Sequence, residues 1–151
     1  YNPIKREMFW AARGMGCHLN GRTARVTRTG VLRRATVLAS RSESARGEWD
    51  VFHGRIKVSP TGSVAYKLAL VAAGRADATF TQSPKSEWDI ASGAALLAEA
   101  GGKMTDIHGR ELIFNRPRVL VDGILADNGK LHQRLLAIAR PARAGSLGRR
   151  G

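Results

Sequence analysis

A chain of 151 residues, 43% hydrophobic and 25% charged, is long enough for one domain with a real core and has the composition of a soluble globular protein. Its 25 Lys and Arg against 12 Asp and Glu leave a net charge of +13, a surface that attracts nucleic acid, phosphorylated metabolites or acidic partners. The single cysteine, Cys17, excludes an internal disulfide and a Cys-based zinc site, and no apolar run approaches the roughly 20 residues of a membrane span. No secretory pattern opens the chain, and its cysteine usage suits a reducing cytoplasm. Tyr1-Asn2-Pro3 reads as a cut end or partial reading frame. The arginines are spread widely, with a cluster at Arg140, Arg143, Arg149 and Arg150, and no zinc-finger, homeodomain or RNA-recognition signature accompanies them. The expectation is a solvated basic surface with a basic tail.

In chain order, Met8 to Ala12 is an apolar and aromatic run that predicts a strand. Asn20-Gly21 is a tight-turn signal because both residues tolerate positive φ, so Met8 to Val26 reads as antiparallel strands joined by turns. Ala35 to Ala39 predicts a short buried strand, Glu43 to Gly54 a weakly patterned helix, and Arg55 to Val58 another strand. Gly62-Ser63 precedes a run in which Val64, Leu68 and Val71 share one helical face; Ser63 can cap it and Gly74 can end it. Ala76 to Thr81 predicts a strand, and Asp89 to Ala100 a helix stopped by Gly101-Gly102. Lys103 to Ile107 and Glu111 to Phe114 predict a hairpin around His108-Gly109. Val119 to Ala126 predicts a buried strand and Lys130 to Arg140 a helix that Pro141 stops, leaving a Gly- and Arg-rich end. Strand and helix alternate from Ala35 onward, which predicts an α/β layer with helices covering a sheet.

Three features could carry chemistry. Asp89, at a helix start, suits an N-cap role, since its carboxylate accepts backbone N–H bonds at the positive helix end. The small residues after it, Ala91 to Ala94, permit close packing or close approach of a ligand. Gly62-Ser63 at another helix start is a generic anion site, although an isolated Gly-Ser is more often an ordinary cap. His18, His53, His108 and His132 lack ligand spacing and predict surface or loop roles, and Cys17 predicts a small packed residue. The triplet Glu48-Trp49-Asp50 echoes Glu87-Trp88-Asp89 and reads as coincidence.

The stretch from Ser86 to Gly102, SEWDIASGAALLAEAGG, resembles the second signature of the inositol monophosphatase superfamily, which includes the inositol monophosphatases and the 3'(2'),5'-bisphosphate nucleotidases. YNPIKREMFWAARGMGCHLNGR resembles the segment downstream of that family's first metal motif, and the motif itself, Asp-Pro-(Ile/Leu)-Asp-Gly-Thr, is not in the chain. The resemblance implies an α/β, layered sheet-and-helix sandwich of the sugar-phosphatase type. Residues 1–140 would be its C-terminal portion with part of an antiparallel sheet, and residues 141–151 a basic disordered tail. It implies magnesium-dependent hydrolysis of a phosphate monoester, with Asp89 a metal ligand and Ser59, Gly62, Ser63 and Val64 substrate contacts.

Finer matches divide the subfamilies. Gln82 stands where inositol monophosphatases commonly carry a glutamate for substrate hydroxyls, and glutamine keeps hydrogen bonding but loses the charge. Ser40-Arg41-Ser42 resembles the Ser-Arg-Ser-His stretch of the nucleotidases, with Glu43 in place of the histidine, and Arg41 could pair with a second phosphate. Lys67 matches a nucleotidase lysine or is a surface helix residue. The expected substrate is therefore a bisphosphate nucleotide, with inositol phosphate as the alternative. The chain alone is expected to be inactive and to need a missing N-terminal half or a second copy as partner. A non-enzymatic basic domain that binds nucleic acid or an acidic partner is the reading from another class; nucleic acid is the less expected partner, and no membrane association is expected.

Overall fold

The computed structural model describes residues 1–139; the expected tail over 141–151 and the arginine cluster lie outside them. Strands β1 (Phe9–Ala12), β2 (Gly16–Leu19) and β3 (Arg22–Ala24) form a three-stranded antiparallel sheet in that order. The Asn20-Gly21 turn closes the second hairpin with φ of 50° and 76°, the left-handed pair a two-residue loop requires. Alternation sends Phe9, Ala11, Cys17 and Ala24 inward and puts Trp10 beside His18 on the opposite face, their rings stacked 4.1 Å apart.

The second sheet is built from β4 (Thr36–Ser40), β5 (Lys57–Thr61), β6 (Ala78–Thr81), β8 (Lys103–Asp106) and β10 (Ile124–Asp127) in the order β5-β4-β6-β10-β8. The β4 strand runs parallel to β5 and β6, and β10 runs antiparallel to β6 and β8. Each parallel pair is joined through a helix: α1 (Arg41–Ala45) follows β4, and α2 (Val64–Ala72) follows β5. A two-residue strand β7 (Lys85–Ser86) leads into α3 (Glu87–Ala100) and pairs with β9 (Leu120–Val121); α4 (His132–Ala139) ends the described chain.

The period of two along the central strands makes two cores. Val37, Ala39, Ala78, Phe80 and Leu125 face one way, against Trp49, Phe52 and α4. Leu38, Ile124 and Ala126 face the other way, against α2, α3 and the inner face of the three-stranded sheet. The layers are thus small sheet, α2 with α3, large sheet, then α4 and the segment after α1. Helices α2 and α3 approach closely because Gly93 has no side chain: a Cβ there would lie 2.5 Å from Leu68 Cβ. At the end of α3, Glu99 accepts the Gly14 and Gly16 N–H groups at 3.0 and 2.9 Å, tying the helix to the first hairpin.

Several expectations are corrected. The run 119–126 is not one strand: Gly123, at φ 71°, separates β9 from β10, and a Cβ there would lie 2.6 Å from the Thr81 carbonyl oxygen. Glu111 to Phe114 does not form the second arm of a hairpin; β8 pairs with β10 instead, while Leu112 and Phe114 pack toward α3. The Asp106 carboxylate organises the turn by accepting from His108 N, Arg110 N and the Arg110 guanidinium. Burial alone would raise this carboxyl, but those hydrogen bonds and the adjacent cation outweigh it and hold it below the usual carboxylate range. The region 43–54 is only the short α1 and a 3-10 turn at Asp50–Phe52. His132 is not a surface residue: it is buried, with Nδ1 2.5 Å from Asp127 Oδ2 and Nε2 3.1 Å from Thr105 Oγ1.

Candidate active site

The carboxyl ends of parallel strands leave their last backbone groups and the following helix starts pointing to one side, which makes that edge a recurrent ligand site. Here β4 ends in Ser40 and Arg41, β5 in Thr61, Gly62 and Ser63, and β6, parallel to β4, in Thr81, Gln82 and Ser83. Ser63 caps α2 by accepting the Tyr66 N–H at 3.3 Å, and it does so at φ 63°, ψ 122°, a conformation costly for a residue with a Cβ. Gly62 lets Arg41 come close. A Cβ there would lie 2.9 Å from the Arg41 Cζ, so the guanidinium rests against the bare backbone.

A cleft of about 840 Å³ opens on these groups. Arg41, Thr61, Gly62 and Ser63 form its polar end, Ser92 of α3 faces them, and Tyr66 lines the wall. The Tyr66 hydroxyl donates to Glu7 Oε2 at 2.7 Å, which fixes that wall to the chain start. Two cations, Arg41 and Lys5, stand at the cleft with no acidic residue in its lining.

The expected site residues divide. Arg41, Gly62 and Ser63 come together at the cleft. Ser59, half-buried within β5, and Val64, half-buried at the start of α2, are not part of its lining. Gln82 donates from Nε2 to the Ala139 carbonyl at 3.0 Å, so its amide ties the end of β6 to α4. Asp89 is not the cap: α3 begins at Glu87 with Ser86 as N-cap, and Asp89 is the third helical residue. Its carboxylate is exposed and makes no hydrogen bond among the described residues. It sits one turn before Ser92 and two before Leu96, both of which line the cleft, so the stripe that enters the cleft carries Asp89 nearer the helix start.

Magnesium takes about six oxygen ligands, one or two of them carboxylates. Among the described residues no three His, Cys, Asp or Glu side chains converge, so the residues present do not by themselves fit such an ion. Asp89 is a single carboxylate that the fold leaves unused.

Two residues already singled out in the sequence, Lys67 and Glu43, prove to be buried. Lys67 is 4% exposed and forms no hydrogen bond or ion pair among the described residues. Burial lowers its ammonium pKa; Glu43 opposes that shift and Lys85 reinforces it. Glu43 is equally buried, accepting from Trp49 Nε1 at 3.2 Å and Thr81 Oγ1 at 2.5 Å. A signal for Lys67 was present: it falls three residues after Val64 and four before Val71, on the apolar stripe of α2 rather than its outer face. Cys17, as expected, is a packed residue, and burial pushes its thiol up.

A cationic cleft at a capped helix start, on the carboxyl edge of parallel strands, is an arrangement whose free N–H groups and positive charge suit oxyanions. The chain belongs to the inositol monophosphatase family, whose model matches residues 1–144; members of that family are phosphoric monoester hydrolases. It is 32% identical over 150 residues to the Nus factor SuhB of Pseudomonas aeruginosa, a match covering 93% of this chain and 53% of that protein. It is 34% identical over 128 residues to inositol monophosphatase 2 of Solanum lycopersicum, covering 79% and 48%. The inositol monophosphatase structure from Anabaena superposes with a TM-score of 0.78 at 30% identity, over 93% of this chain and 57% of that one. The Thermotoga maritima IMPase gives 0.79 at 28%, over 91% and 52%. The chain spans about half the length of the curated relatives it matches. Among the described residues no helix is long and apolar enough to cross a membrane.

Proposed function

We propose that this chain is the substrate-holding part of a phosphatase for phosphate monoesters, and that its preferred substrate carries a second anionic group, as a 3'(2'),5'-bisphosphate nucleotide does. The observation that carries this reading is a cation at the strand-end cleft, together with a buried lysine on the helix that starts there. Arg41 lies against Gly62 at the start of α2, and Lys67, one turn on from Ser63, is buried with no acceptor among the described residues. The free N–H groups of α2 and the Arg41 fork bind phosphate oxygens. Gln82, engaged with Ala139, supplies no charged acceptor for the hydroxyls of an inositol. Asp89 is offered as one carboxylate ligand of a magnesium ion whose other ligands come from outside the chain.

Binding of adenosine 3',5'-bisphosphate and of inositol 1-phosphate to the chain, measured by calorimetry, tests the preference. We expect the bisphosphate to bind at least about tenfold more tightly, or 1.4 kcal/mol. A tenfold preference for inositol 1-phosphate would overturn it. The chain alone should release negligible phosphate from either compound, because a lone carboxylate cannot organise the metal. Robust release that disappears in Asp89→Asn would show that account of the site to be wrong.

A further inference from the structure

We propose that Glu43 is a positioning residue for Arg41: its buried carboxylate pins the single turn of α1, so that the Arg41 guanidinium lies across Gly62 in the cleft with its N–H fork unspent. This rests on the reading that Arg41 binds phosphate oxygens.

Helix α1 is five residues long, too short to hold its own place. Among its residues Glu43 alone is buried. An apolar side chain is the usual anchor at such a position, because a carboxylate taken out of water is costly unless donors surround it. Here they do. Oε2 accepts from Trp49 Nε1 at 3.2 Å; Oε1 accepts from Thr81 Oγ1 at 2.5 Å and from Ser83 Oγ at 3.4 Å. Thr81 ends β6 and Ser83 follows it, while Trp49 is packed against Phe52 and Phe80. The main chain of Glu43 is engaged as well: its N–H is given to Ser40 Oγ at 3.5 Å and its carbonyl accepts the Glu48 N–H at 3.1 Å. One residue thus fastens the turn to the end of a central strand and to the aromatic core.

The placing of Arg41 follows from that pin. Successive residues of an α-helix are rotated by about 100°, so positions 41 and 43 project to nearly opposite sides. With Glu43 turned inward, Arg41 is turned out toward the junction of β5 and α2. There its guanidinium meets Gly62, where a Cβ would lie 2.9 Å from both Cζ and Nε. Arg41 lines the cleft with Thr61, Gly62 and Ser63, and it forms no hydrogen bond or ion pair among the described residues. A salt bridge to Glu43 would have used the donors of the fork. Neutral donors occupy the carboxylate instead, which leaves the guanidinium N–H groups for the oxygens of a ligand.

The test uses the chain as it stands, with inorganic phosphate and adenosine 3',5'-bisphosphate as probes. Affinity is read by calorimetry and the Arg41 side chain by proton NMR. In the wild type a nuclear Overhauser contact should join the Arg41 Nε–H to the Gly62 α-protons, and it should be lost in Glu43→Ala. The same variant should bind both probes about tenfold more weakly, the scale of one charge-assisted hydrogen bond. In an Arg41→Met background Glu43→Ala should change affinity by less than about twofold. Glu43→Gln keeps an oxygen for Thr81 and Ser83, so it should restore the contact and most of the affinity. A contact that survives Glu43→Ala overturns the proposal. So does a loss of affinity that is as large with Arg41 already replaced, because Glu43 would then act through the fold at large. If Glu43→Ala does not fold, Thr81→Val, which removes a donor at Oε1, takes its place; the contact should weaken, and an unchanged contact overturns the proposal. If the wild type binds neither probe while the contact is lost in Glu43→Ala, the phosphate reading fails and the positioning role stands.

Discussion

The chain spells Glu-Trp-Asp twice, at 48–50 and at 87–89, and the two triplets have opposite fates. Trp49 is 4% exposed, packed on Phe52 and Phe80 at ring distances of 5.4 and 4.4 Å, with its N–H given to Glu43. Trp88 is 70% exposed. The glutamates are reversed: Glu48 lies at the surface 2.6 Å from Arg46, whereas Glu87 is buried and accepts the Asn115 N–H at 2.8 Å. The cause is phase. In α3 the buried stripe runs Glu87, Ile90, Gly93, Leu97 and Ala100, at helical spacing, which turns Trp88 outward whatever its hydrophobicity. The first triplet lies between Gly47 and Gly54, both at positive φ, where a single 3-10 turn folds the indole back under the sheet. Residue type sets what burial would be worth; the phase of the element decides whether it happens.

The sharpest way to break this comparison is to delete both indoles. Trp49→Ala should lower stability by about 3–5 kcal/mol, the usual cost of emptying a large buried aromatic site. Trp88→Ala should stay within about 0.5 kcal/mol, as exposed substitutions do. Urea unfolding measures both, and similar losses would contradict the assignment of phase. Gly93→Ala probes the stripe itself. Its new methyl group meets Leu68, so a loss of about 1–3 kcal/mol is expected, with a lower melting temperature.

The glutamates come next. Glu87→Ala should cost about 1–3 kcal/mol by stranding the Asn115 N–H, while Glu48→Ala should give no measurable loss. Aspartate supplies the smallest effects. Asp89→Asn should change stability by no more than about 0.5 kcal/mol, the scale of a charge at an exposed helix start, which separates any loss of ligand binding from loss of fold. Buried Asp106 is the contrast. Its folded carboxyl lies below its unfolded value of about 3.9. Its stabilisation is therefore complete above that value and is lost as pH falls through the folded one. In Asp106→Asn the melting temperature should be lower at neutral pH and vary less between neutral and strongly acidic solution; an acid limb identical to wild type would show that the Arg110 and His108 contacts carry no stability.

Much of the fold was legible because local signals were strong. Asn20-Gly21 placed its turn, Ser63 placed the cap of α2, and Gly101 at φ 81° ended α3 where the Gly-Gly pair predicted. The misses have a common origin. The apolar run 119–126 is continuous in sequence, but the Thr81 carbonyl of another strand needs the space at Gly123. Glu111 to Phe114 alternates like a strand, yet β10, distant in sequence, takes the edge of β8. Asp89 looks like a cap, and the helix starts earlier because Val119 accepts the Glu87 N–H at 2.9 Å.

The candidate site follows the same division. The sequence by itself determined which residues are candidates for phosphate binding: the Gly62-Ser63 helix start, Arg41 after a buried strand, and the Trp88-Asp89 signature are local patterns whose physics is carried by neighbours along the chain. Only the tertiary structure decided which of them meet. Strand order puts the ends of β4 and β5 side by side, so Arg41 reaches Gly62 while Ser59 and Val64 stay outside the cleft. It also buried both Lys67 and Glu43, charged residues that composition alone would place at the surface. Burial and charge coupling act through space and depend on which surfaces exclude water, and those surfaces exist only once the layers have packed.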